Sequence, residues 1–449
     1  MIKDGENIRV DNGNCKIIGF RRDRIGARLI CLLNTIRISK KFNVSGRFIW
    51  LSEPDGPYPE LVDPRDFLVH EFVERHIEIC DRAPDKTGRK NLNALAPSTS
   101  SAHFAQMLQN GDLFECDSMS DIVRLMDESP TDVAREVREI ASQLPLSDLL
   151  ESALIEARER ITAFGGGQPI AIHMRRGDLL DGDPWSYSGW PAKFVPDEFF
   201  RAFISENDGP VIAFSDTPEV IGHMKDGNPR VVAVNELLEN KGLRPAEQDL
   251  LELILMAGCS KVGAPIMSAF SRAAELVGGC KIVALPPHLN NSARILAYDA
   301  LLDRVIDTPD SFYRPGDLAQ SIPYAVNHAI NTGRARPLVR SLSDNTDLLD
   351  RFPFLYPDLA RAALAAEMLG RAYKLAELGL ANPKLRNRDR PACEQIFMMA
   401  SAKAGNHIKT SEMTSRFLTM SFRGDVAQIS PEHDCPLSRH SSADGFDLG

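Results

Sequence analysis

Between residues 168 and 286 the chain repeats one pattern: a short apolar run, then a stretch with helical spacing. The runs are Pro169-Ile-Ala-Ile-His173, Val211-Ile-Ala-Phe-Ser215, Val231-Val-Ala-Val234, Lys261-Val-Gly263 and Lys281-Ile-Val-Ala284. Asp197–Ile204, Pro218–Met224, Pro245–Ala257 and Ser268–Val277 supply the helical stretches between them. Apolar runs without polar alternation need cover on both faces, and helices between successive parallel strands provide it. A doubly wound parallel sheet is therefore expected, and such sheets take ligands at the carboxyl ends of their strands.

The first third starts in the same way. Cys15-Lys-Ile-Ile-Gly19 reads as a strand, Ile25-Gly26-Ala27 opens an amphipathic stretch from Arg28 to Lys41, and Arg47-Phe-Ile-Trp-Leu51 is a second strand. Residues 118–163 have helical character, with candidate caps at Ser120, Thr131 and Ser147. The expected fold class is α/β, with two Rossmann-like domains, residues 1–160 and 161–335, facing a cleft. Past 335 the texture changes. Leu359 to Leu380 is rich in Ala and Leu at helical spacing, and Glu394–Ala404 and Ser411–Phe422 add further candidate helices, giving a helical extension over 336–425. The polar stretch 426–449 has little to bury and is expected to be a disordered tail.

Charge narrows the function. The 449 residues include 52 Lys plus Arg against 62 Asp plus Glu, a net charge of −10. Such an acidic chain is a poor generic binder of nucleic acid or anionic membrane, so a polyanionic ligand needs a local basic site. The longest apolar run, Leu250 to Met256, is interrupted by Glu252 and falls well short of the ~20 residues of a membrane span. Met1-Ile-Lys-Asp-Gly-Glu-Asn has no apolar core of a signal peptide. Eight cysteines without a Cys-x-x-Cys pair read as reduced thiols in a cytoplasmic protein. No His or Cys spacing suits zinc, and no metal or other cofactor is expected.

Four groups of residues have the chemistry of a site. His173-Met-Arg175-Arg176-Gly-Asp178 stands at a strand end, where two guanidinium groups either clamp a diphosphate or pair with Asp178, Asp181 and Asp183 in a solvated loop. Ser268 caps a helix that stops at Gly278, and that helix N-terminus, with the hydroxyls of Ser268 and Ser271, is either an anion site or simply a well-capped helix. Asp216 ends another strand, to hold a sugar or base hydroxyl or to cap the following helix. Glu252 lies among Leu251, Leu253 and Ile254, in a site or on a solvent face.

Together these segments resemble the family of α-1,6-fucosyltransferases, rhizobial nodulation fucosyltransferases and protein O-fucosyltransferases. His173, Arg175, Arg176 and Asp178 match its His-x-Arg-Arg-x-Asp motif. Ser215-Asp216 match its strand-end acidic motif, with Thr217 in place of the usual second acidic residue. Glu252, Cys259, Ser268, Phe270, Ser271 and Arg272 match its late motif, with Glu252 where Asp is usual and Met267-Ser268 where two serines are common. Ile25-Gly26-Ala27-Arg28-Leu29 resembles its glycine turn into the first helix. The correspondence is good over about 170–285, weaker over about 17–51 and absent from the tail.

The resemblance implies a GT-B-like, inverting, metal-independent glycosyltransferase moving fucose from GDP-fucose to a hydroxyl of a glycan or glycoconjugate. Departure of GDP develops negative charge on its β-phosphate, which fixed cations and N–H donors must stabilise. By that likeness Arg176, supported by Arg175, meets this charge. His173, Asp178 and Glu252 line the nucleotide pocket, Asp216 holds guanine or ribose, and Ser268, Ala269, Phe270 and Ser271 cap the phosphates beside Gly26. Asp183 is the candidate base for the acceptor hydroxyl. Two alternatives keep the fold: a catalytically inactive nucleotide-sugar or glycan binder, and a transferase with another donor sugar. Asp181-Gly-Asp183 also spells the Asp-x-Asp of metal-dependent GT-A enzymes. Trp185, Tyr187 and Trp190 either stack on a sugar or anchor their loop. Residues 52–115 carry no motif for the acceptor.

Overall fold

The computed structural model describes residues 15–164, 167–180, 193–225, 228–238 and 242–403. Asp181, Asp183, Trp185, Tyr187, Trp190, the candidate helix 411–422 and the tail 426–449 lie outside the described residues.

Two parallel five-stranded sheets organise the chain. The first is built from β1 (Ile17–Phe20), α1 (Ile25–Phe42), β2 (Gly46–Leu51), α2 (His70–His76), β3 (Ile77–Cys80), β4 (Arg89–Asn91), α3 (Leu92–Leu95), α4 (Ser101–Gln109) and β5 (Leu113–Cys116). Its strand order is β3-β2-β1-β5-β4. The apolar runs of β1 and β2 mark them in the sequence. β3, β4 and β5 are short and partly polar, as in Arg89-Lys-Asn91, and no pattern in residues 52–115 announces them. Two helices follow, α5 (Pro130–Ala141) and α6 (Asp148–Ala163). The cap of α5 is Ser129, not Thr131, because Pro130 takes the first helical position, where its missing N–H costs nothing. Ser147 precedes α6 as expected, whereas Ser120 begins no helix.

The second sheet comprises β6 (Ile170–Met174), α7 (Gly177–Leu180), α8 (Asp197–Ser205), β7 (Val211–Ser215), α9 (Pro218–Lys225), β8 (Val231–Ala233), α10 (Val234–Leu237), α11 (Pro245–Ala257), β9 (Lys261–Pro265), α12 (Ala269–Gly278) and β10 (Lys281–Leu285), in strand order β10-β9-β6-β7-β8. Each expected strand is present within two residues of its expected ends. The remainder is helical: α13 (Asn291–Asp307), α14 (Pro315–Asn331), α15 (Ala335–Leu342), α16 (Thr346–Arg351), α17 (Leu355–Ala365), α18 (Leu369–Ala381) and α19 (Arg390–Lys403). The stretch Leu359 to Leu380 is two helices rather than one, broken where Glu367 takes a left-handed φ of 57°. A non-glycine residue there gives no warning in the sequence.

Side chains alternate across a strand, so each face of the second sheet has its own partners. Ile170, Ile172 and Met174 of β6, with Val211 and Ala213 of β7, pack into a core shared with α8, α9 and α13 to α19. Ala171, Ile212, Phe214, Val262 and Ala264 face the other way, into a core continuous with the first sheet through α1, α5, α6, α11 and α12. The extension beyond residue 335 is thus built onto one face of the second sheet. Among the described residues no helix is long and apolar enough to cross a membrane, and all seven described cysteines are free.

Candidate functional site

The carboxyl ends of β6, β7 and β9 bring the candidate residues together. The alternation of β6 holds for Arg176, two residues past its end. Arg176 shares the parity of Ile172 and Met174 and turns towards α8 and α14, whereas Arg175 lies close enough to His173 for its charge to act on the imidazole. Adjacent arginines therefore have separate environments: Arg175 is half-buried and Arg176 is 0% exposed.

His173 meets the start of α12. Its Nδ1 lies 2.6 Å from Ser271 Oγ and 3.2 Å from Ser268 Oγ, and the Ser271 hydroxyl is 3.1 Å from that of Ser268. Ser268 is the helix cap, its Oγ accepting from Ser271 N at 3.2 Å. Both serines are buried. Their hydroxyls, expected at the phosphates, are engaged with the imidazole and with each other; the Ser271 N–H is taken by the cap, and the N–H groups of Ala269 and Phe270 have no acceptor within the helix. Ala269 and Phe270 at that turn are half-buried, with the Phe270 ring 5.5 Å from that of His173. Burial, reinforced by the Arg175 cation and opposed by Asp216, lowers the His173 pKa to about 4. The imidazole is neutral at pH 7 and serves as a hydrogen-bonding group.

Gly26 faces the same turn from the first sheet. A Cβ at this position would lie 3.2 Å from Phe270 Cα, so the glycine lets α1 approach α12 closely. The N-termini of α1 and α12 consequently meet, and both present the positive end of a helix dipole. Arg24, at the N-cap position of α1, makes no side-chain cap bond.

Arg176 is not positioned to meet a leaving group, contrary to expectation. Its Nη2 donates to Asp197 Oδ1 at 2.8 Å, its Nε lies 3.2 Å from Asp317 Oδ1, its Nη1 donates to the Arg175 carbonyl at 3.2 Å, and its guanidinium covers the Phe194 ring at 4.4 Å. A buried guanidinium needs carboxylates and hydrogen bonds around it, and here α8 and α14 supply them. Arg175, the other guanidinium of the motif, is half-buried near His173.

Asp216 is exposed, yet its Oδ1 accepts from the backbone N–H groups of Arg176 and Gly177 at 2.8 and 2.9 Å. It braces the turn after β6, and a Cβ on Gly177 would meet its Oδ2 at 2.9 Å. Asp178 falls on α7. Glu252 is half-buried on α11, where Gln248 Nε2 donates to it at 2.8 Å. Burial pushes its pKa up to about 7, with Asp249 adding to the rise and the Gln248 bond opposing it.

Asp249 was not singled out in the sequence. One turn before Glu252 on the same face, it is half-buried, and burial pushes it up to about 6 against the pull of Arg24, with Glu60 and Asp216 adding to the rise. Its i, i+3 spacing from Glu252 was the available signal. Asp197 and Asp317 were also missed, since nothing in their local sequence points to Arg176. No cluster of three or more His, Cys, Asp or Glu residues suited to a metal occurs among the described residues.

No family model matches the chain, and no curated protein sequence matches it. Among solved structures, the fucosyltransferase NodZ from Bradyrhizobium is similar over 61% of this chain and 96% of its own, with 15% identity and a TM-score of 0.37. POFUT1 in its apo form is similar over 61% of this chain and 98% of its own, at 11% identity and a TM-score of 0.33. A point mutant of Arabidopsis thaliana FUT1 in complex with GDP is similar over 64% of this chain and 71% of its own, at 12% identity and a TM-score of 0.37. Likenesses this distant say nothing about the chemistry of the present chain.

Proposed function

We propose that this chain is a glycosyltransferase that moves fucose from GDP-fucose to a hydroxyl of a glycan or glycoconjugate, with inversion and without a divalent metal. The observation that carries this reading is the meeting, at the ends of β6 and β9, of the half-buried Arg175 side, the neutral His173 and the first turn of α12, with the N-terminus of α1 directly opposite. Two positive helix ends in contact repel each other, and an anion between them relieves that repulsion. A diphosphate supplies two adjacent anionic groups, and charge grows on its outer phosphate as the sugar leaves. One well-placed donor at such a position is worth about 3–4 kcal/mol of barrier.

In this reading Arg175 and the N–H groups of Ala269 and Phe270 meet the developing charge, with Arg176 as the anchor of the turn. Asp216 holds guanine or ribose, and Glu252, once ionised, lines the nucleotide pocket as a further acceptor for the guanine N–H groups. Asp178 lines the nucleotide pocket and Asp183 takes the acceptor proton. Residues 161–335 form the nucleotide half, and residues 1–160 face the acceptor. The order of the His173, Asp216, Glu252 and Ser268 motifs supports the choice of donor.

The test is calorimetric titration with GDP and with UDP in EDTA, on wild type and Arg175→Ala. Micromolar GDP binding that survives EDTA, excludes UDP and is lost in Arg175→Ala supports the proposal, and transfer of fucose from GDP-fucose to an acceptor hydroxyl by the wild type in a glycan screen then establishes the reaction. Absence of GDP binding, or binding that requires Mn²⁺, refutes it.

A further inference from the structure

The motif turn is held from behind by helices that follow it in the chain. Asp197, in the first turn of α8, binds Arg176, and Arg304 of α13 in turn reaches Asp197 Oδ2 at 3.4 Å and Glu198 Oε1 at 2.9 Å. α14 touches the same turn at three points. Asp317 Oδ1 faces Arg176 Nε, Gln320 Nε2 donates to the Leu179 carbonyl at 3.1 Å, and Gly316 is packed so closely that a Cβ would lie 2.2 Å from the Leu180 carbonyl oxygen. Asp317, Gln320, Arg176 and Asp197 are all buried. On the open side, Asp216 fixes the same turn through the Arg176 and Gly177 N–H groups.

We infer that Asp317 and Gln320 of α14 are positioning residues for the nucleotide site, acting through Arg176 and α7 to fix the backbone that presents Arg175. The inference rests on the function proposed above. A salt-bridged guanidinium with its flat face over the Phe194 ring resists rotation, and its own Nη1 bond to the Arg175 carbonyl passes that rigidity to the neighbouring residue. α14 thereby belongs to the site, acting on the ligand through the turn it holds.

Three variants of the full chain test this: Asp317→Ala, Asp317→Asn and Gln320→Leu. GDP affinity is measured by calorimetry, thermal unfolding by circular dichroism, and amide exchange is followed over residues 173–180. Asp317→Ala is expected to weaken GDP binding by about tenfold or more, and Gln320→Leu by about fivefold, the effect of one hydrogen bond. Exchange is expected to rise over 173–180 and to stay at the wild-type level over β1 and β2. Asp317→Asn, which keeps the side-chain shape and a hydrogen-bonding oxygen, is expected to restore GDP affinity to within about twofold of wild type. Wild-type affinity and wild-type exchange over 173–180 in Asp317→Ala and Gln320→Leu would overturn the inference, as would exchange raised equally throughout the chain. Should Asp317→Ala fail to fold, Gln320→Leu carries the same decision. Failure of wild type to bind GDP would sink the proposed function alone, because the exchange measurement needs no ligand.

Discussion

His173 offers the most direct quantitative test of the site's geometry, because its buried, neutral state converts into a pH dependence of known sign. An imidazole in the unfolded chain has a pKa of 6.5, and in the folded protein it is lowered to about 4, chiefly by burial. Below 6.5 the unfolded chain takes up a proton that folded His173 refuses. Stability present above 6.5 is therefore lost as pH falls towards 4. At about 1.4 kcal/mol for each tenfold change, the loss reaches about 2 kcal/mol at pH 5 and about 3 kcal/mol in full. Glu252 and Asp317, both pushed up to about 7, act in the opposite sense: the stability they contribute is present in acid and lost as pH rises through 7. Comparing wild type with His173→Asn separates the histidine from these carboxylates. Urea unfolding at pH 7.5 and at pH 5 is expected to show wild type losing about 2 kcal/mol more than the variant between the two conditions. Proton NMR of the His173 Cε1–H gives the same answer directly, with a titration midpoint at about 4. A midpoint close to the ordinary imidazole value, or equal losses in the two proteins, would refute the buried Ser268–Ser271–His173 arrangement.

The two arginines should separate cleanly. Arg176→Met leaves Asp197 and Asp317 without their shared cation and is expected to cost about 3–5 kcal/mol, seen as a lowered unfolding temperature in scanning calorimetry. Arg175→Met, at a half-buried position, is expected to cost about 1 kcal/mol or less while abolishing GDP binding. If Glu252 accepts from guanine, ligand binding favours its ionised form. GDP affinity measured from pH 6 to pH 8 should then rise as pH passes 7, and Glu252→Gln should flatten that profile and weaken binding above pH 7. Ser268→Ala removes the α12 cap and one partner of His173, with an expected loss of about 1 kcal/mol in urea unfolding.

The second sheet was legible strand by strand because its strands are continuous apolar runs, such as Val211-Ile-Ala-Phe-Ser215, between helices with clear periodicity. The first sheet was legible only at β1 and β2. Its other strands are three or four residues long and mix charge with apolar residues, a pattern that carries no local signal until neighbouring strands are in place. Helix α11 was recovered with both ends correct, and its Pro245 and the Gly258 beyond it are the reason.

For the site, the residues of His173-Met-Arg175-Arg176 and Ser268-Ala-Phe-Ser271 placed basic and hydroxyl groups at strand ends, and that much followed from composition and spacing alone. Which of the two arginines is fully buried did not. The answer depends on what covers each face of β6, and the covering residues, Asp197 and Asp317, come from helices remote in the chain. Local sequence determines where a charged side chain leaves the backbone. Only the packed helices decide whether that charge is neutralised inside the protein or left at its surface, because the cost of burying a cation is met by partners that tertiary structure alone brings within reach.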